Sequence, residues 1–204
     1  MSLVSRDEIE SELTAVRPDD FGELEFGSER IRPATCTEWM DLRKRGFKPP
    51  TTVAGAYDDS AKERCEGLLI LEGARPSHTT YVRKLPWNVR LLSLLPAAIA
   101  SALDPSERHA VAEATAAGKT FAQFDPRATA KRVFAAESLQ IIEGDRNGTV
   151  NLYPLIYADL NRDGVEDIVI SVTNGDAHGP MSNFRLLIAA RDSKDAELRV
   201  LEWR

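Results

Sequence analysis

The sequence predicts an α+β fold in which a helix-rich N-terminal part is followed by a C-terminal antiparallel β-meander. Three observations lead there. Residues 1–137 carry helix caps and apolar residues at three-to-four spacing. From Ser138 the pattern changes to short runs of Ile, Val, Leu and Tyr parted by Gly, Asn and Asp. The 204 residues, 43% hydrophobic and 28% charged, suffice for a substantial core. The expected division is therefore a helical region at 1–137 and a meander at 138–204, within one compact domain.

In chain order, Ser5-Arg6-Asp7-Glu8 has the Ser-x-x-Glu form of a capping box and predicts a short helix running toward Val16 before Pro18. Thr37 caps a second helix through Trp39, Met40 and Leu42. Arg43, Lys44 and Arg45 suit its negative C-terminal end, and Gly46 stops it. Asp59 caps a third, in which Ala61, Cys65, Leu68, Leu69 and Glu72 share a face and Cys65 points inward. Trp87 to Leu103 reads as a helical region kinked or split at Pro96, and Asp104-Pro105 starts another helix. Five strands follow, at about Leu139–Glu143, Thr149–Ala158, Asp167–Thr173, Asn183–Ala190 and Glu197–Trp203, with a hairpin turn at Asp145-Arg146-Asn147-Gly148.

Composition excludes some functions. A net charge of −6 offers no basic surface to a phosphate backbone, so nucleic acid is not an expected partner. The longest apolar stretch, Leu91 to Leu103, is broken by Pro96 and falls short of the ~20 residues that cross a bilayer. Met1-Ser2-Leu3 and the polar run after it lack the regions of a signal peptide, which leaves a cytosolic protein or one whose leader has been removed. Cys36 and Cys65 lie in no CxxC and among no metal-ligand cluster; they are either two buried thiols or one disulfide formed in an oxidising compartment.

Asp159-Leu160-Asn161-Arg162-Asp163-Gly164-Val165-Glu166-Asp167 places oxygen side chains at alternate positions, then a glycine, then a final carboxylate. Calcium takes six to eight hard oxygen ligands at about 2.3–2.6 Å, so a loop must curl around it. Asp159, Asn161, Asp163 and Asp167 supply side-chain oxygens, Val165 a carbonyl, and Gly164 the sharp turn. The alternative is a polar turn with solvated aspartates. An EF-hand is excluded, because its twelfth position needs glutamate and here holds Ile170, within a β-branched run that predicts a strand.

This nine-residue pattern resembles the calcium loops of FG-GAP and integrin-type β-propeller blades, which join two antiparallel strands. The resemblance implies calcium as the cofactor and a meander like a single blade. With the later strand "FRLLIAARD", the segment "YADLNRDGVEDIVISV" is also similar to bacterial periplasmic proteins, among them calcium-binding immunity proteins that inhibit lysozyme-like effectors. That likeness implies a periplasmic or secreted location and a partner such as a peptidoglycan hydrolase, and a calcium site suited to extracellular ion levels favours a disulfide between Cys36 and Cys65, the two cysteines of the chain. The Ser-Gly dipeptide that such inhibitors often insert into their target does not occur here.

Catalytic candidates are few. His78 follows Ser77, His109 falls on a helix, and His178 sits in the loop Asn174 to Pro180, where Asn174, Asp176 and His178 are candidates for partner contact. No phosphate loop, zinc motif or nucleophile elbow is present. The expected function is therefore a non-enzymatic, extracytoplasmic calcium-binding protein that binds a macromolecule. The alternative is a calcium-dependent hydrolase of the cell envelope with Glu166 or His178 as acid or base.

Overall fold

The structure, a computed structural model, describes residues 6–102, 104–133, 137–144, 148–176 and 181–201, without the side chains of residues 6, 176 and 181–183. The fold is α+β. The chain forms two compact units, 1–74 and 75–204, so the division falls well before residue 137. It falls there because the second unit recruits 75–133 to cover one face of its sheet.

The first unit contains α1 (Arg6–Thr14), a hairpin of β1 (Leu24–Phe26) and β2 (Glu29–Ile31), α2 (Cys36–Lys44) and α3 (Thr52–Gly73). Ser5, expected to cap α1, lies outside the described residues. Two other caps differ from expectation. α2 is capped by Thr35, whose hydroxyl accepts from the Glu38 amide at 3.1 Å, while the Thr37 hydroxyl donates to the Leu13 carbonyl. Thr35 wins because Glu38 also reaches back to the Ala34 amide at 2.8 Å, so two otherwise orphaned donors are satisfied.

α3 begins at Thr51, well ahead of Asp59, with the Thr51 hydroxyl accepting from the Ala54 amide. The extra turns bury Asp58, which competes for no cap because its carboxylate accepts from Trp39 Nε1 at 2.9 Å and faces Arg43 at 3.6 Å. Cys36 and Cys65 stand at disulfide distance, sulfur to sulfur 2.08 Å and Cα to Cα 5.3 Å, joining the start of α2 to the middle of α3. Around them pack Phe21, Leu24, Trp39, Leu42, Phe47 and Ala61.

The second unit is built on a sheet in the order β4 (Thr129–Lys131), β5 (Leu139–Ile142), β6 (Gly148–Ala158), β7 (Val165–Asp176), β8 (Met181–Ala190) and β9 (Arg199–Val200), all neighbours antiparallel. A two-residue strand, β3 (Thr79–Thr80), pairs parallel with the start of β7. The expected strands therefore form, although β9 is shorter and β3 and β4 gave no alternating pattern to read. The hairpin turn between β5 and β6 lies outside the described residues at 145–147.

The core face of this sheet presents Ile141, Val150, Leu152, Ile168, Ile170, Val172 and Leu187 to a cover of Val82, Leu91, Leu95, Ile99 and Phe121. The cover is split at Pro96, one of the two forms the sequence allows, and its helical pieces are 3-10 turns, Val89–Ser93 and Ala97–Ile99. Pro96 removes an amide from any continuous helix, and Leu91, Leu92, Leu95, Ala97, Ile99 and Ala100 are all buried, more than one helical stripe can hide. α4 (Pro105–Ala116) starts at the expected Asp104 with a complete capping box to Glu107, and a single turn, α5 (Phe121–Phe124), follows. Among the described residues no helix is long and apolar enough to cross a membrane.

Candidate metal centre

β6 and β7 run antiparallel with Ala158 opposite Asp167, so the chain between them must reverse over the acidic segment. Two residues there take left-handed backbone conformations: Gly164 at φ 82° and Arg162 at φ 67°, the one non-glycine residue at positive φ among those described. The loop is held from inside by its own carboxylates. Asp159 Oδ1 accepts from the Arg162 and Asp163 amides at 2.7 and 3.2 Å, and Asp159 Oδ2 accepts from Gly164 at 3.0 Å. Asn161 Oδ1 accepts from the Asp163 amide at 3.0 Å, and Asp163 Oδ1 from the Val165 amide at 2.7 Å. The Asn161 side-chain amide donates to Asp163 Oδ2 at 2.8 Å.

At the foot of the loop, Asp167 Oδ2 accepts from the Leu160 and Asn161 amides at 2.9 and 3.2 Å. Its other oxygen, Oδ1, is buried and has no hydrogen-bond partner. The side chain is fully buried. Burial pushes its pKa up to about 6, against the two amides that lower it, and the charges of Asp163 and Asp159 add to the rise. A carboxylate oxygen desolvated without a donor costs free energy unless a cation or proton meets it.

A second segment fastens the loop from outside. The Arg75 amide donates to the Asp159 carbonyl at 2.9 Å and the Asp159 amide to the Arg75 carbonyl at 3.2 Å. The Gly164 carbonyl accepts from the His78 and Thr79 amides at 2.9 and 3.3 Å. β3 then pairs Thr79 with Val165 and Thr80 with Glu166. Nothing in the sequence signals this strap, because its bonds are made by main-chain groups that any residues carry.

The five expected ligands thus lie in one loop, and their oxygens suit a hard cation. Among the described residues, however, no three Asp, Glu, His or Cys side chains converge into a metal-holding group. The Asp159 and Asp163 carboxylates face amides of the loop instead, whereas Asp167 Oδ1 faces none.

Glu166, the acid or base of the hydrolase alternative, is buried, and both its oxygens accept from Arg83, Nε and Nη2 each at 2.7 Å. The same guanidinium lies 4.6 Å over the Tyr157 ring, whose hydroxyl donates to Glu137 at 3.1 Å. A carboxylate bound at both oxygens in this way is a structural anion with no face turned to a substrate. Arg83, 83 residues away in sequence, was not a sequence candidate.

Of the partner-contact candidates, Asn174 and Asp176 do not join the loop. Asn174 pairs with Val150 near the far end of β7, seven residues from Asp167 or roughly 23 Å at about 3.3 Å per residue. It is buried, its side-chain amide 3.4 Å from the Ala100 carbonyl, so it is no surface contact. The backbone of Asp176 pairs with Gly148 at that same far end, and His178 lies outside the described residues. His109 is an exposed residue of α4 with Nε2 3.2 Å from Glu113, and His78 is exposed beside Gly164.

Comparison with protein families, curated proteins and solved structures returns no match to this chain.

Proposed function

We propose that the chain is a non-enzymatic, extracytoplasmic calcium-binding protein, with the ion held by Asp159, Asn161, Asp163, the Val165 carbonyl and Asp167. The buried, unpartnered Asp167 Oδ1 carries the reading, since it is the loop carboxylate oxygen that the protein's own donors leave unmet. The strands on either side support equivalence to the calcium-bearing part of a single propeller blade, and the disulfide accords with an oxidising compartment. Function follows from order: a divalent ion offsets the mutual repulsion of the loop aspartates and fixes the exposed Asn161, Arg162 and Asp163 as a preorganised surface. The partner is a macromolecule of the cell envelope, a peptidoglycan hydrolase by the resemblance noted above.

Calorimetric titration with calcium, paired with melting curves of wild type and Asp163→Ala, tests the ion. Wild type binds and melts higher, while Asp163→Ala does neither. Identical melting of the two proteins with and without millimolar calcium would refute it. Lysozyme-type inhibition assays in calcium and in chelator test the partner, and no inhibition in either condition removes that class.

A further inference from the structure

Residues 75–80 open the second unit, and their main-chain anchors fall on the acidic segment: Arg75 on Asp159, His78 and Thr79 on the Gly164 carbonyl, Thr79 and Thr80 in register with Val165 and Glu166. Three residues further on, Arg83 closes the same attachment through its paired bonds to Glu166. The strap contributes little apolar burial of its own, for Arg75, Pro76, His78 and Thr79 are exposed. Its order therefore depends on the conformation of the loop it grips. Gly164 is central to that dependence. Its carbonyl takes two strap amides, while its own amide donates to Asp159, one of the ligands assigned above. A shift of Asp159 toward or away from an ion is transmitted through one residue to both strap bonds.

We propose that the loop Asp159–Asp167 and the strap Arg75–Thr80 form one calcium-responsive element, in which ion binding tightens the strap and the strap in turn raises calcium affinity. The inference rests on the calcium reading and adds a regulated segment outside the ligand sequence. Thermodynamic reciprocity makes it testable from both sides, because a segment ordered by the ion must favour binding of the ion by the same factor.

Hydrogen exchange resolved at single amides reads the first direction in the intact protein. On addition of calcium, exchange at Arg162, Asp163 and Gly164 slows, and exchange at His78 and Thr79 slows with it by about tenfold, whereas Asp163→Ala shows neither effect. Slowing confined to the loop amides would overturn the coupling while leaving the calcium site standing. No slowing at either place would overturn both. The second direction uses Thr79→Pro, which removes one donor to Gly164 and replaces none of the assigned ligands. It weakens calcium binding about fivefold, and unchanged affinity in a folded variant counts against the strap.

Discussion

Asp167→Asn isolates the charge at the foot of the loop. The amide keeps an oxygen for the Leu160 and Asn161 donors and replaces the unpartnered oxygen with an uncharged group. In the ion-free protein the Asp167 pKa rises from an ordinary 3.8 to about 6. The folded state therefore holds a proton more tightly than the unfolded state, and the contribution of Asp167 to ion-free stability is greatest below about pH 4, falls as pH rises from about 4 to 6, and levels off above that. A rise of about two units corresponds to roughly 3 kcal/mol at neutral pH. At pH 7.5 in chelator, Asp167→Asn should recover up to that amount, about 6–12 °C in melting temperature for a chain of this size. Calcium favours the ionised form, so it should raise the wild-type melting temperature and flatten or reverse the fall with pH, while leaving Asp167→Asn unmoved. The assay is thermal melting of both proteins from pH 4 to 8, in chelator and in calcium. A variant less stable than wild type in chelator at pH 7.5, or one that calcium stabilises as much as wild type, would refute the reasoning.

Two further outcomes test the scaffold. Reducing Cys36–Cys65, or replacing both cysteines by alanine, should lower stability by about 2–4 kcal/mol in denaturant unfolding, and an unchanged midpoint would show that the first unit's helix packing does not depend on the bridge. Arg83→Met leaves Glu166 buried without its partner; with Arg83 itself 43% exposed, the loss should be about 1–3 kcal/mol, recovered in Arg83→Met/Glu166→Gln, and a double variant as unstable as the single one would contradict the pairing.

The sequence by itself determined what is local and periodic. The meander was legible because alternating apolar residues and turn residues repeat within each strand, and β6, β7 and β8 form close to where that pattern places them. The nine-residue acidic loop was legible for the same reason, since its oxygens and its glycine are neighbours in the chain. The cysteine pair could be named from composition. The tertiary structure alone decided the rest, and in each case the deciding partner lies far away in sequence or is a main-chain group. Asp59 reads as a cap, but α3 starts at its Thr51 cap and the Trp39 indole holds the adjacent Asp58 within the helix. Pro96 and six buried residues give the helical region 3-10 geometry, because the stretch is buried around more of its circumference than one helical stripe can hide. Asn174 reads as a loop residue, yet the length of β7 carries it into the core roughly 23 Å from the acidic loop. Arg83 and the strap 75–80 carry no signature, because ion pairing and backbone hydrogen bonding across such separations depend on where the chain has folded rather than on the order of its residues.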